Sequence, residues 1–286
     1  MRALVLSGGG CKGAFQVGAL KHLIKELGFS YDILCGTSVG ALNCSFLSLY
    51  TKENDLNGLD SLTNFWMQVD NKQIFKRHFP FGKLHALWMN SIYNSQPLID
   101  LMHKSIDINK VRASGKKISV GAVSLTNGNY RSFTQDDDCF VDGVLASSSF
   151  PSAFKPIEID GELYSDGGIK HITSLGEAIK LGATEVDLII CSPEHSTAIF
   201  DKKSATLTVA LRSVDLMTDE IIDADLKKAQ LYNQLALSNL EYNKRYVKIN
   251  IIRPDVDLIE DSLSFNQVDI RRMMSIGYDQ AKKVIT

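Results

Sequence analysis

The fold turns on the stretch "RALVLSGGGCKGAFQVGAL", residues 2–20. A short apolar run from Ala3 to Leu6 leads into three consecutive glycines, Gly8 to Gly10, and from Gly13 onward apolar residues recur at helical spacing. An uninterrupted apolar run suits a strand buried on both faces. Glycine permits positive φ and close approach to a ligand, and a helix beginning just after it offers unpaired N–H groups to negative charge. The same order recurs in "YDILCGTSVGALNCSFLSLY", residues 31–50: a strand, a turn with almost no loop, and a second helix. Two successive strand–turn–helix units predict an α/β fold with a parallel sheet and helical crossovers.

The glycine loop faces one of two kinds of charge. Gly8, Gly10 and Gly13 satisfy G-x-G-x-x-G, the dinucleotide pattern, which also wants an acidic residue at the far end of the next strand. Asp32 stands instead at the start of that strand, before "ILCG". A Walker loop fails too, because Ala14 follows Gly13 where Lys and Ser/Thr belong. The second turn supplies the other answer. "GTSVG", Gly36 to Gly40, matches G-x-S-x-G with Ser38 where the strand meets the helix, an arrangement that pushes the serine hydroxyl outward. Both turns fall at the C-terminal edge of a parallel sheet, where such folds bind ligands. The glycine loop can therefore point N–H groups at an oxygen that becomes charged when Ser38 attacks a carbonyl.

Such a serine needs a base. An α/β-hydrolase would place several strands before its serine and a histidine late in the chain, whereas Ser38 follows one earlier strand. His22 falls on the first helix and His78, His85 and His103 in a later helical stretch, while His171 and His195 lie late enough to stay candidates. A second candidate lies in "GELYSDGGIK". There Asp166 ends a short apolar segment, and Gly167 and Gly168 let the backbone turn around the carboxylate. A carboxylate becomes a competent base within hydrogen-bond reach of the hydroxyl in a partly dry site.

At 286 residues, 44% hydrophobic and 22% charged, the chain can bury a sizeable core. Its formal charge of −2 gives no reason to expect nucleic acid, and no transmembrane-length apolar run is present. The five cysteines (Cys11, Cys35, Cys44, Cys139, Cys191) show no metal-ligand spacing, so no metal or cofactor is expected and reduced, cytoplasmic thiols are. "ALVL" is too short for the core of a signal peptide. Residues 56–112 read as a mainly helical insert, "KKISVGAVSLTNGNYRSFT" as a hairpin turning at Asn127-Gly128, and "DDCFVDGVLASSS" as a helix. Later come a strand in "GATEVDLIICS", a long helix over 205–243, a strand in "RYVKINIIRP" and a final helix. The economical organisation is one domain over 1–286, with 205–286 as its extension.

"GGGCKG", "GTSVG" and "DGG", in this order, resemble the patatin-like phospholipases, and "ASSSFPSAFKPIEIDGELYSDGG" resembles that family's approach to its aspartate. The resemblance covers roughly residues 2–192. It implies a three-layer α/β/α fold with a mainly parallel sheet, a Ser-Asp dyad and no catalytic histidine. By it, Ser38 is the nucleophile and Asp166 the base. Gly9 and Gly10 line the oxyanion hole with help from Cys11, and Lys12 matches a position usually basic. Gly8, Gly13, Gly36, Gly40, Gly167 and Gly168 shape the loops. Two departures stand out: Ser7 where many members have Asp, and "IKHITS" after the Asp-Gly-Gly. The expected substrate is a phospholipid or another acyl lipid, reached from the cytoplasm with peripheral membrane contact left open. No motif points to a regulatory partner. A Ser-His carboxylesterase or thioesterase and a non-catalytic lipid-binding module are the rival readings. The aromatic segment "HFPFGKLHALWMNSIY", residues 78–93, is expected to form an acyl channel, a lid or a small core of its own.

Overall fold

The computed structural model describes residues 1–77, 91–196, 206–238 and 245–286. Five strands form the parallel part of one sheet: β1 (Arg2–Leu6), β2 (Ile33–Gly36), β5 (Lys117–Ser124), β9 (Glu185–Ile189) and β10 (Lys248–Ile252). They lie in the order β10-β9-β1-β2-β5. Three antiparallel strands complete the sheet: β6 (Tyr130–Thr134), β7 (Ile157–Ile159) and β8 (Glu162–Asp166). A separate two-stranded ladder joins β3 (Lys76–Arg77) to β4 (Tyr93–Asn94), an element that the helical reading of 56–112 did not foresee. The hairpin, the helix after it and the later strands form where they were expected.

Alternation along β1 explains its apolar run. Leu4 and Leu6 point to one face of the sheet and Ala3 and Val5 to the other, and all four are fully buried. The first face is covered by α1 (Gly13–Leu20), α2 (Val39–Leu47), α3 (Asp55–Gln68), α7 (Phe140–Ser147) and α10 (Gln267–Val284). The short helices α4 (Asn71–Ile74), α5 (Gln96–Ser105) and α6 (Ile108–Ala113) extend that layer. The second face is covered by α8 (Leu175–Lys180) and α9 (Thr206–Ser238), through Leu175, Ala178, Ile222 and Ala229. The architecture is three layers, α/β/α, around a mixed and mainly parallel sheet.

The pairing of β5 positions the site. Ser119 to Val123 pair with β6 along one edge of that strand. Its other edge is then shared: Lys117 to Val120 pair with β2, and Ala122 to Ser124 pair with β8. Gly36 sits opposite Val120 and Asp166 opposite Ala122. The strand carrying Asp166 thus takes over β5 just where β2 ends and its turn begins.

Candidate active site

Ser38 occupies that turn with φ 55° and ψ −127°, a conformation that costs a non-glycine residue on the order of 1–3 kcal/mol. The surroundings impose it. The Ser38 amide donates to Ser147 Oγ at 2.9 Å, and its carbonyl accepts from Ser148 Oγ at 3.2 Å and from the Ala41 amide at 2.9 Å. Thr37 Oγ1 donates to the His171 carbonyl at 3.0 Å. Glycine at 40 is a steric requirement, since a Cβ there would press on the carbonyl of Leu6 at the end of β1. Gly36 in turn abuts the Gly40 carbonyl.

Asp166 is 3% exposed. Its amide donates to the Ser149 carbonyl at 3.1 Å, its Oδ1 accepts from the Gly168 amide at 2.8 Å, and the Ser38 hydroxyl lies near enough to help stabilise its carboxylate charge. Burial pushes this carboxyl up to about 6, against the opposing pull of the Ser38 hydroxyl and the Gly168 amide. Gly167 packs on the Gly121 carbonyl and Gly168 beside Asp166 Oδ1.

The glycine loop lies over this pair: a Cβ on Gly8 would stand 3.1 Å from that of Ser38. Gly8 donates its amide to the Ile172 carbonyl at 3.2 Å. Ser7 Oγ donates to the Gly8 carbonyl at 2.9 Å and accepts from the Cys191 amide at 3.0 Å, tying the loop to the end of β9. Gly13 begins α1 against Val39. Gly10 needs its φ of 58°, which turns the chain into a single 3-10 turn. Among the described residues the amides of Gly9 and Gly10 have no protein acceptor. The Cys11 amide donates to the Ser262 carbonyl at 2.8 Å and its thiol is buried, so Cys11 ties the loop to the segment at Ser262. Lys12 borders the cleft, with Asp215 close enough to feel its charge.

The cleft holding Ser38 and Asp166 has a volume of about 680 Å³. Leu42, Phe65, Trp66, Leu98 and Phe154 form much of its apolar wall. Four histidines are described, and none lines it. His22 is held by the Ile285 carbonyl, His103 pairs with Asp142 on the surface, His171 stacks edge-on to Tyr130 across the sheet, and His195 is exposed. Of the aromatic segment, residues 78–90, including His78 and His85, lie outside the described residues, while Ile92 and Tyr93 border the cleft. Among the described residues no helix is long and apolar enough to cross a membrane.

Sequence reasoning missed the supports: Ser147 and Ser148 under the turn, Ile172 and Ser262 on the loop. "ASSSF" offered the only local signal.

A patatin-like phospholipase model matches residues 4–179, more than half of the chain. The chain belongs to that family. Among the similar patatin-like proteins, human calcium-independent phospholipase A2-gamma is 23% identical over 195 residues, 59% of this chain and 24% of its own length. A cGAMP-activated phospholipase of Escherichia coli strain TW11681 is 24% identical over 192 residues, 59% of this chain and 52% of its own. This patatin-like chain thus spans between a quarter and about half of the length of these relatives. VipD from Legionella pneumophila superposes over 99% of this chain and 66% of its own, with a TM-score of 0.48 and 16% identity.

Proposed function

We propose that this protein is a lipid acyl hydrolase that cleaves carboxylic esters of phospholipids or related acyl lipids through a serine acyl-enzyme. The observation that carries the proposal is that one cleft with an apolar wall is lined by Ser38, a buried Asp166 carboxylate and the glycine loop, whose Gly9 and Gly10 amides have no protein acceptor among the described residues. Family membership, and relatives whose names say phospholipase, support the substrate class.

In the proposed reaction Ser38 Oγ forms a bond to the ester carbonyl carbon while its proton passes to Asp166. The amides of Gly9 and Gly10 receive the oxyanion, each contributing about 3 kcal/mol of transition-state stabilisation. Collapse breaks the ester C–O bond, and Asp166 returns the proton to the departing alcohol. Water then attacks the acyl-enzyme, giving its proton to Asp166, and the released Ser38 Oγ recovers one. The absence of imidazole from the described cleft walls favours the aspartate over a histidine as the base.

Fluorophosphonate labelling and vesicle hydrolysis test this together. Ser38→Ala should abolish labelling, and Asp166→Asn should lower turnover by about a thousandfold or more, the scale of removing a base that works as a unit with its nucleophile. His171→Ala and His195→Ala should stay near wild type. Normal turnover by Ser38→Ala refutes the assignment. Loss of turnover on removing either histidine would restore a Ser-His reading. Folded wild type that neither labels nor hydrolyses, with lipid present, would be a binding module.

A further inference from the structure

A second cavity, of about 1210 Å³, opens on the other face of the sheet between α8, α9 and β10. Its floor is apolar: Leu175, Ile179, Ala229, Val247 and Ile249. Its charges are two carboxylates, Glu177 and Asp225, against three cations, Lys180, Lys228 and Arg245. Glu177 is occupied by Lys180 at 2.6 Å, and Asp225 accepts from Thr173 Oγ1 at 3.2 Å. Lys228 and Arg245 are exposed and have no carboxylate partner among the described residues. The Ser38 cleft has the opposite balance. Asp215, Asp219, Asp257, Glu260 and Asp261 line it against Lys12 and Arg212. A carboxylate with an apolar tail therefore meets complementary charge in the second cavity.

This cavity also reaches the nucleophile turn through three hydroxyl groups. Tyr130 Oη lies 3.1 Å from Ser174 Oγ, which lies 2.8 Å from Thr37 Oγ1. Each hydroxyl has one proton to give. Thr37 spends its proton on the His171 carbonyl, so Ser174 must donate to Thr37 and Tyr130 to Ser174. Tyr130, His171 and Ser174 all line the cavity, and Ser174 is held at φ 34°, a strained position next in space to the Ser38 turn. Tyr130 is therefore the cavity-lining end of a hydroxyl chain that reaches Thr37, next to Ser38.

We propose that this cavity is a ligand site for a long-chain carboxylate, its tail on the apolar floor and its carboxylate against Lys228 and Arg245, and that occupancy alters the reactivity of Ser38 through Tyr130, Ser174 and Thr37. The binding half stands by itself; the coupling half rests on Ser38 being the nucleophile.

Oleate, oleyl alcohol and acetate, used below micelle-forming concentration, test the binding on Ser38→Ala protein. Oleate should bind. The alcohol, which keeps the tail without the charge, and acetate, which keeps the charge without the tail, should both bind at least about tenfold more weakly. Adding Lys228→Glu and Arg245→Glu, both at exposed positions, should weaken oleate at least about tenfold, the weight of one charge-assisted contact. Oleate affinity untouched by the double charge reversal, or matched by the alcohol, overturns the site. For the coupling, oleate should change the fluorophosphonate labelling rate of wild-type Ser38. The Lys228→Glu/Arg245→Glu variant should label at the basal rate with no response to oleate, and Tyr130→Phe should keep binding and lose the response. A response that persists in the charge-reversed variant is competition within the Ser38 cleft and overturns the coupling. Wild type that never labels counts against the catalytic reading of Ser38, while the binding comparison still decides for or against the cavity.

Discussion

The carboxyl group of Asp166 has lost nearly all the water that would stabilise its charge and has regained only part of that through one amide and one hydroxyl. Its value of about 6 against an ordinary 3.8 has two consequences. As the proposed base it must be ionised, so kcat/KM for a soluble ester should fall on the acid side with a midpoint near pH 6. A midpoint near 4 would mean that the acid limb reports some other group. The same shift bears on stability. Because the folded value is raised, the stability linked to its protonated form is fully present below about pH 4 and is lost as pH rises through about 6. Asp166→Asn removes that loss. It should therefore stabilise the fold above pH 6 by up to about 3 kcal/mol, two units at 1.36 kcal/mol each, and by little near pH 4. Urea midpoints at pH 4 and pH 7.5 measure the difference, and an unchanged or lowered stability at pH 7.5 would show that the carboxylate is better solvated than its burial indicates.

Helices α1 and α10 meet with backbone on backbone. A methyl added to Gly18 would strike the Met274 carbonyl, and one added to Gly277 would strike the Phe15 carbonyl. In an isolated helix, Gly→Ala gains about 1 kcal/mol. Here no side-chain rotation relieves the collision, and forcing the helices apart costs about 1–3 kcal/mol. Gly18→Ala and Gly277→Ala should each destabilise on balance. The double variant should lose less than their sum, because the first substitution already opens the seam. Additive losses in denaturant titration would argue against a shared seam. This pair also shows where sequence reading stops. Gly8, Gly36, Gly40 and Gly168 were legible because each falls in a short motif only a few positions long. Gly18 and Gly277 are 259 positions apart by number, each alone in an ordinary helical pattern, and only packing reveals them. The Cys11 anchor was hidden for a related reason: its partner, the Ser262 carbonyl, is brought to it by the far end of the chain.

That far end ties the whole molecule together. β10 is the last parallel strand, α10 lies along α1, and Ser262 anchors the glycine loop. Phe265 stacks on Trp66, with ring centroids 6.1 Å apart, and Gln267 Nε2 donates to the Trp66 and Val69 carbonyls. Trp66 Nε1 in turn donates to Asn43 Oδ1 at 2.8 Å, one turn into the helix that Ser38 begins. Trp66 thus stands where the N-terminal motifs, the segment of α3 and the C-terminal extension meet. The long helix α9 joins through Ile222 and Ala229 on the other face of the same sheet. Contacts that cross the chain in this way predict one cooperative unit over 1–286, with no separable extension at 205–286. Of the two tryptophans, Trp88 can be replaced by Phe so that Trp66 becomes the sole indole reporter. In urea its fluorescence and the far-ultraviolet circular dichroism, to which α9 and α10 contribute strongly, should then follow one coincident transition. If helicity is lost first while the Trp66 signal holds, the extension unfolds independently. The glycine loop would then be anchored by something other than Ser262, because an extension that had let go could not hold it.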